Sequence, residues 1–468
     1  MNGVKWLIIG LLSVIFVILG ILYIPGSLNK IAGWVLPSVE KSSGMKISVD
    51  DLRLRFPLRL SANGATVLEA TGDTMVVAER IDVSVNPLRF LTGDIGISSA
   101  ALTNGMYRMG APDSMYIRAD VEHVDVKNAL LNFSKGLIDI DYADLNGGRV
   151  NLIIGPDTTA TPVDTAASMP LLIRAHEIKM SRVDYSMSML PTIDTLTAHV
   201  GAAVLLQGVV DMGSRRISAD ALRIDSVGAV YLTPTAEYMA EHPVPVSAAD
   251  TVSLSADELW DITAGYMALT NSHAVYGVAG AEPQTGLDMN YLQVNDVTIE
   301  VDSFWNRGAQ IRVPLRRLLG VERSGIAIDG HGLFEMDSVA MYAKEFRINT
   351  VYSSMDLDAM MGLDTMVAQP VMVEAAVAVG LPDVELAMPS LKPMLAAAPR
   401  QTPVTADVLV TGTMADLHIE KFMLAMQRCF TASVSGNVRN VMDADDMSGV
   451  IDIDGSIVNS GFLKPTIA

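Results

Sequence analysis

The stretch ISVDDLRLRFPLRL, residues 47–60, carries two surfaces along one run of chain. From Leu52 onward, Leu52, Leu54, Phe56, Leu58 and Leu60 alternate with Arg53, Arg55, Pro57 and Arg59. Side chains of a strand point to opposite faces in turn. This period of two therefore reads as one strand with hydrocarbon on one face and guanidinium groups on the other. Ile47 and Val49 fall on the opposite phase, so Asp50-Asp51 reads as a bulge or short turn. The apolar face either closes against a second sheet or stays open and holds something else.

The same pattern continues almost to the end of the chain. RIDVSV (80–85), LIDIDY (137–142), RVNLII (149–154), VTIEVDSF (297–304) and GVIDIDGSI (449–457) each alternate between turn-forming residues. No long amphipathic helix intervenes after residue 45, which argues against a parallel βαβ fold. The expectation is a mainly β chain, an antiparallel meander of roughly thirty strands at ordinary strand lengths. An Ala-polar-x-hydrophobic echo recurs at Ala119, Ala175, Ala219, Ala256 and Ala343. In the last four, Tyr185, Tyr231, Tyr266 and Tyr352 follow, and each echo reads as a hairpin. The irregular spacing excludes a propeller or leucine-rich array. Three Pro/Ala/Thr-rich stretches, 155–170, 233–250 and 381–403, read as surface loops.

Composition narrows the function. Half of the 468 residues are hydrophobic, yet aromatics are 6% and there are 28 Met, so the apolar surface is soft. A formal charge of −20 argues against a nucleic-acid partner, because nothing would neutralise phosphates. Cys429 is the only cysteine, so no disulfide staples the chain. Residues 7–24, from Leu7 through Ile15 to Ile24, are an uncharged apolar run. As a helix it would be about 27 Å long, enough for the hydrocarbon of a bilayer. With no small-x-small cleavage site nearby, it reads as an uncleaved anchor. The boundaries expected are a cytoplasmic 1–6, the anchor 7–24, a juxtamembrane amphipathic segment 25–44 and a β body 45–468.

Catalytic chemistry is not legible. The seven histidines are scattered, and there is no H-E-x-x-H, nucleophile elbow, P-loop or dinucleotide fingerprint. No enzyme, metal or cofactor is expected. One short pattern is over-represented: Asp followed by Ser or Thr and a mostly apolar residue. It places Thr74, Ser114, Thr158, Thr165, Thr195, Ser226, Thr251, Ser338 and Thr365 as O-glycosylation candidates. The same dipeptides also open turns between strands.

The order of elements resembles a known one. An N-terminal membrane helix, a short amphipathic segment, SGMKISVDDLRLRFPLRL (43–60), GDTMVVAERIDVSVNPLRFLTGDIGISSAALTNGMYRM (72–109) and then hundreds of residues of alternation resemble the AsmA-like family, particularly its TamB-type branch. The resemblance is strongest over residues 1–110. It implies a single-pass inner-membrane protein with its N-terminus in the cytoplasm and its body in the periplasm. It also implies an elongated antiparallel sheet curved into a U-shaped hydrophobic groove, and a bridge carrying phospholipids towards the outer membrane in support of its integrity. A C-terminal region that meets an outer-membrane barrel partner belongs to the family pattern; no such region is seen here. On this reading Ile47, Val49, Leu52, Leu54, Phe56, Leu58, Leu60, Ile81, Val83, Val85, Ile95 and Ile97 line the groove. A second class of function uses the same features: a membrane-tethered scaffold whose exposed strand edge pairs with outer-membrane or secreted β-proteins during their assembly.

Overall fold

A computed structural model describes residues 46–459 except 57, 70–71, 93, 111–114, 133, 156–170, 191–192, 242–258, 364–368, 397 and 442–445. The anchor and juxtamembrane segment expected at 7–44 lie outside the described residues. The chain divides into two compact units, Met1–Ser214 and Arg215–Ala468.

The first unit is a ladder of eight strands in chain order: β1 (Lys46–Arg55), β2 (Arg59–Leu68), β3 (Thr74–Asn86), β4 (Ile95–Gly110), β5 (Met115–Asn132), β6 (Leu137–Ile154), β7 (Leu172–Met189) and β8 (Asp194–Asp211). The second unit holds β9 (Arg216–Thr233), β10 (Asp261–Val278), β11 (Tyr291–Arg307), β12 (Gln310–Glu322), β13 (Ala327–Met336) and β14 (Ala340–Asn349). It continues with β15 (Ser354–Gly362), β16 (Pro370–Val379), β17 (Val404–Thr413), β18 (Asp416–Met426), β19 (Phe430–Arg439) and β20 (Ser448–Ile457), each beside the next. The protein is mainly β, and within each unit no strand stacks in a second sheet.

The opening stretch is a hairpin and not one strand. β1 ends at Arg55, the chain turns through Phe56 and Leu58, and β2 begins at Arg59, so Leu54 and Leu60 face each other across the pair. The phase change at Asp50-Asp51 is real but is not a bulge. Val49 pairs with Ala65 and Asp51 with Asn63, so register is kept on both sides. The device is Gly64, opposite Asp50, which has a φ of +63°. One left-handed residue turns the strand and resets which parity faces which side.

This bend is repeated from strand to strand. In the first unit Gly64, Asn104, Gly147 and Arg182 are all left-handed in mid-strand, with Glu79 opposite both Gly64 and Asn104 and Glu122 opposite Gly147. The Asn104 amide donates to Glu79, and Arg182 Nη2 donates to Glu122 Oε2 at 3.2 Å. A second line of bends passes through Asn128 and Gln207. In the second unit Ser226, Asn271, Asp296, Ser303 and Glu345 are also left-handed, and there the pairing shifts register by one residue at Asn271, Asp296, Ser303 and Glu345. Strands can therefore be long: β5 to β10 have 18 residues each. LIDIDY and RVNLII, expected as two strands, are the two ends of β6. The described strands number twenty and not about thirty for that reason. Two of the Ala-polar-x-hydrophobic echoes likewise fall inside single strands and not across hairpins; Ala343 and Tyr352 do span from β14 to the turn before β15, and Ala256 lies outside the described residues. Ala175 and Tyr185 share β7, and Ala219 and Tyr231 share β9.

Two neighbours are parallel, which corrects the all-antiparallel expectation: β6 with β7 and β9 with β10. Parallel neighbours need a connection of a dozen residues or more. The Pro/Ala/Thr-rich stretches at 155–170 and 233–250 are those connections, the second beginning with helix α1 (Ala236–Glu241). The third stretch is no simple loop. It forms α2 (Leu381–Ala387), a 3-10 turn (Pro389–Leu391) and α3 (Lys392–Leu395). Leu381 packs with Met426 and Cys429, and Asp383 accepts a hydrogen bond from Ser353 Oγ at 2.5 Å.

If the bends rest on left-handed residues, Gly147→Val is costly. A Cβ at Gly147, whose φ is +79°, would stand 2.0 Å from Glu122 Oε2. Urea denaturation should show a loss of about 1–3 kcal/mol or more, whereas Asn104→Gly stays within about 1 kcal/mol of wild type. An undiminished Gly147→Val protein contradicts this account of the bend.

Candidate functional site

The candidate site is an extended face, built rung by rung. Residues paired across a sheet share a face. One row of the first unit runs Leu52, Ala62, Ile81, Leu102, Val124, Leu145, Met180, Ala203. The next runs Leu54, Leu60, Val83, Ala100, Val126, Ala143, Ile178, Leu205. No polar residue interrupts either row. Across the bend the row Val49, Ala65, Ala78, Gly105, Val121, Gly148, Val183, Val200 continues the pattern. By contrast, Asp51, Asn63, Arg80, Thr103, His123, Asn146 and Ser181 form a polar row on the other side.

The spacing along each strand explains how one chain keeps this up. In β4 the positions on the apolar side are Ile95, Ile97, Ala100, Leu102, Gly105, Tyr107 and Met109, with Ala101 and Met106 off this spacing; in β9 the corresponding set is Ile217, Ala219, Leu222, Ile224, Val227, Ala229 and Tyr231, with Ala221, Val230 and Leu232 off it. Both follow steps of 2, 3, 2, 3, 2, 2. Each step of three spans a bend, where two consecutive residues turn to the polar side. Ser98-Ser99, Glu79-Arg80 and Lys127-Asn128 are such exposed pairs. In the second unit the rows from Phe346 through Leu357, Ala375, Val408, Phe422 and Val434 to Ile453 are equally apolar.

Nothing covers these rows among the described residues. Small side chains lying between larger ones are buried, such as Ala78, Ala129, Ala175, Val183 and Ala203, but no large side chain is fully buried. A closed sandwich would bury its large residues from both sides. The buried cluster formed by Leu381, Met426 and Cys429 sits beside the β18–β19 turn, at a rim of the sheet.

Most of the residues expected to line a groove lie in these rows or pair beside them. Ile47, Val49, Leu52, Leu54, Leu60, Ile81 and Val83 lie in the rows above or, for Ile47, opposite Val67, while Val85 pairs with Ile97 and Ile95 with Leu131. Two do not. Phe56 sits in the hairpin turn, 87% exposed, and Leu58 lies in the same turn with its carbonyl accepting from Val85 N at 3.1 Å. They stand outside the alternation because the chain reverses there. What sequence reading missed is the larger part of the face: Leu102, Val124, Leu145, Ile178 and Leu205. Each is visible once the 2, 3, 2, 3 spacing replaces simple alternation.

The polar side is internally matched. Arg118 pairs with Asp120 at 2.9 Å, His123 with Asp125 at 2.9 Å and His199 with Asp184 at 2.8 Å. A cleft of about 700 Å³ against the first bend is lined by several of these partners. Burial pushes the Asp82 carboxyl up, but the hydroxyl of Ser61 and the guanidinium groups of Arg80 and Arg59 outweigh it and hold the group below the usual range. No three His, Cys, Asp or Glu side chains gather for a metal among the described residues.

Of the Asp-Ser/Thr candidates, Ser338 is in the β13–β14 turn, where Asp337 accepts from the Val339 and Ala340 N–H groups at 2.8 Å each. Thr74 and Thr195 stand at strand starts, and Ser226 is a bend residue. Ser114, Thr158, Thr165, Thr251 and Thr365 lie outside the described residues, as do Leu7, Ile15 and Ile24. No described helix is long and apolar enough to cross a membrane. No family model, curated protein or solved structure matches the chain.

One bend carries a pH signature. Asp225 accepts from Thr270 Oγ1, Ser226 Oγ and Asn271 Nδ2 at 2.7 Å each, which holds its carboxyl below the usual range. With the folded value below the unfolded one, its contribution is present above the unfolded value near pH 4 and fades as pH falls further. Asp225→Ala should lower stability at pH 7, with the gap to wild type closing below about pH 4. A gap unchanged between pH 7 and pH 3 contradicts that role.

Proposed function

We propose that the apolar rows form the wall of a lipid-carrying trough in an inner-membrane-anchored periplasmic protein. The observation that carries this reading is the set of apolar rows in each unit, which no layer covers among the described residues. Exposed hydrocarbon on this scale needs an occupant. Acyl chains suit it, because each methylene removed from water contributes about 0.8 kcal/mol without requiring a directional partner. The bends, each with two consecutive residues turned to the polar side, fold the apolar face inward and give the U-shaped section of the AsmA-like, TamB-type pattern. On that reading the run at 7–24 is the anchor, the polar side faces the periplasm, and phospholipids pass along the rows towards the outer membrane. The role is passive guidance, with no chemical step.

A second reading has its own observation. All ten residues of β20 are exposed and its partner among the described strands is β19, so β20 presents a strand edge that carries Ile451, Ile453 and Ile457. Such an edge pairs readily with an added strand, and a scaffold for β-proteins would use it.

Full-length protein purified from a bacterial envelope and weighed by native mass spectrometry separates the two. Wild type should retain several more phospholipids per chain than Leu102→Asp/Leu145→Asp, with both equally folded by circular dichroism and urea denaturation. Equal lipid counts in the two proteins, together with crosslinks from Val450→Cys to β-protein clients, would put the scaffold first.

A further inference from the structure

We infer that the β1–β2 hairpin tip, with the 3-10 turn Pro87–Thr92 beside it, is a foot that seats on an anionic phospholipid surface. This is separate from what the apolar rows carry and does not rest on it. The two tips lie together: Arg59 pairs with Ser84, and Val85 N donates to the Leu58 carbonyl at 3.1 Å. Phe56 is 87% exposed and Leu88 71% exposed, among the most exposed large apolar side chains described. Neither is part of the apolar rows, so covering the rows leaves both in water.

The charges around them run against those of the whole chain. Residues 52–60 hold three arginines and no carboxylate, in a protein of net charge −20, while Arg89 beside Leu88 lies over Gly96 in a cleft with Asp139 and Asp141. Two of the three arginines of residues 52–60 have carboxylate partners. Arg53 is matched by Asp51 at 2.6 Å, but Arg59 and Arg80 share the single carboxylate of Asp82, at 3.8 and 2.7 Å. Exposed apolar tips ringed by guanidinium groups have the chemistry of an interfacial contact. The rings and branches enter the headgroup–acyl boundary while the arginines meet lipid phosphates. A protein partner would need a shaped, acidic pocket; a bilayer with anionic headgroups needs only the combination present here.

The test places an environment-sensitive fluorophore at Leu88→Cys, in a Cys429→Ser background, on the full chain in nanodiscs. With phosphatidylglycerol-containing discs the probe should shift to the blue and be quenched by lipids spin-labelled near the headgroup. Raising salt from 0.05 to about 0.5 M should reverse much of the shift, as the Debye length shortens. Arg55→Gln/Arg59→Gln/Arg89→Gln and Phe56→Ser should each weaken it, while a probe at Met115→Cys, at the opposite ends of the strands, should not respond. An unshifted Leu88 probe overturns the inference. So does an equal shift in purely zwitterionic discs, or a shift already present in detergent without a bilayer, which would indicate a protein contact.

Discussion

Backbone hydrogen bonding across the bends is the constraint on which the rest of this structure depends. A strand that turns a corner ordinarily loses register or inserts a bulge, and either would scramble the faces beyond the corner. Along the first line of bends in the first unit a left-handed residue on one strand stands opposite an acidic or small residue on the next, as Gly64 does to Asp50 and Gly147 to Glu122. Along this first line of bends pairing resumes on the far side in unchanged register, whereas the bends of the second unit shift it by one residue, as between Ala343 and Phe346 on β14. The parity of the side chains is reset at the same place on successive strands, so rows from Val49 and from Leu52 stay on one face although three residues separate them.

Two consequences follow for energetics. Lateral stability comes from long ladders and half-buried rungs, with small residues such as Ala175 and Val183 sealed between larger neighbours. Large side chains retain exposed hydrocarbon, a state that a soluble core would not leave unrelieved. The charged side contributes little per pair, since Arg118–Asp120 and His199–Asp184 are exposed. Its effect is to keep one face wetted. At the rim of the second unit, α2 and α3 close a small conventional core around Met426 and Cys429.

The mainly β class of fold was legible from alternation alone, and Ile47, Val49, Leu52, Leu54 and Leu60, which alternation singled out, all lie in the β1–β2 pair. The hairpin at Phe56–Leu58 was not, because Arg-x-Arg alternation runs through the turn without a glycine to punctuate it. LIDIDY and RVNLII looked like separate strands because a bend interrupts the period of two in the same way as a loop. The parallel pairings at β6–β7 and β9–β10 leave no mark in the strands themselves; their trace is the length of the connections. The resemblance to the AsmA-like family rested on apolar spacing, and spacing of this kind reports a shape more directly than a cargo.

The central claim is that hydrocarbon chains lie against one face of the sheet and not the other. Photocrosslinking amino acids placed in living cells at Leu102, on an apolar row, and at Thr103, on the polar row one residue away, compare the two faces on the same strand. After irradiation, mass spectrometry of the purified full-length protein should find phospholipid adducts at position 102 and few or none at 103. Adducts equally frequent at both positions, or absent from 102, would contradict the account.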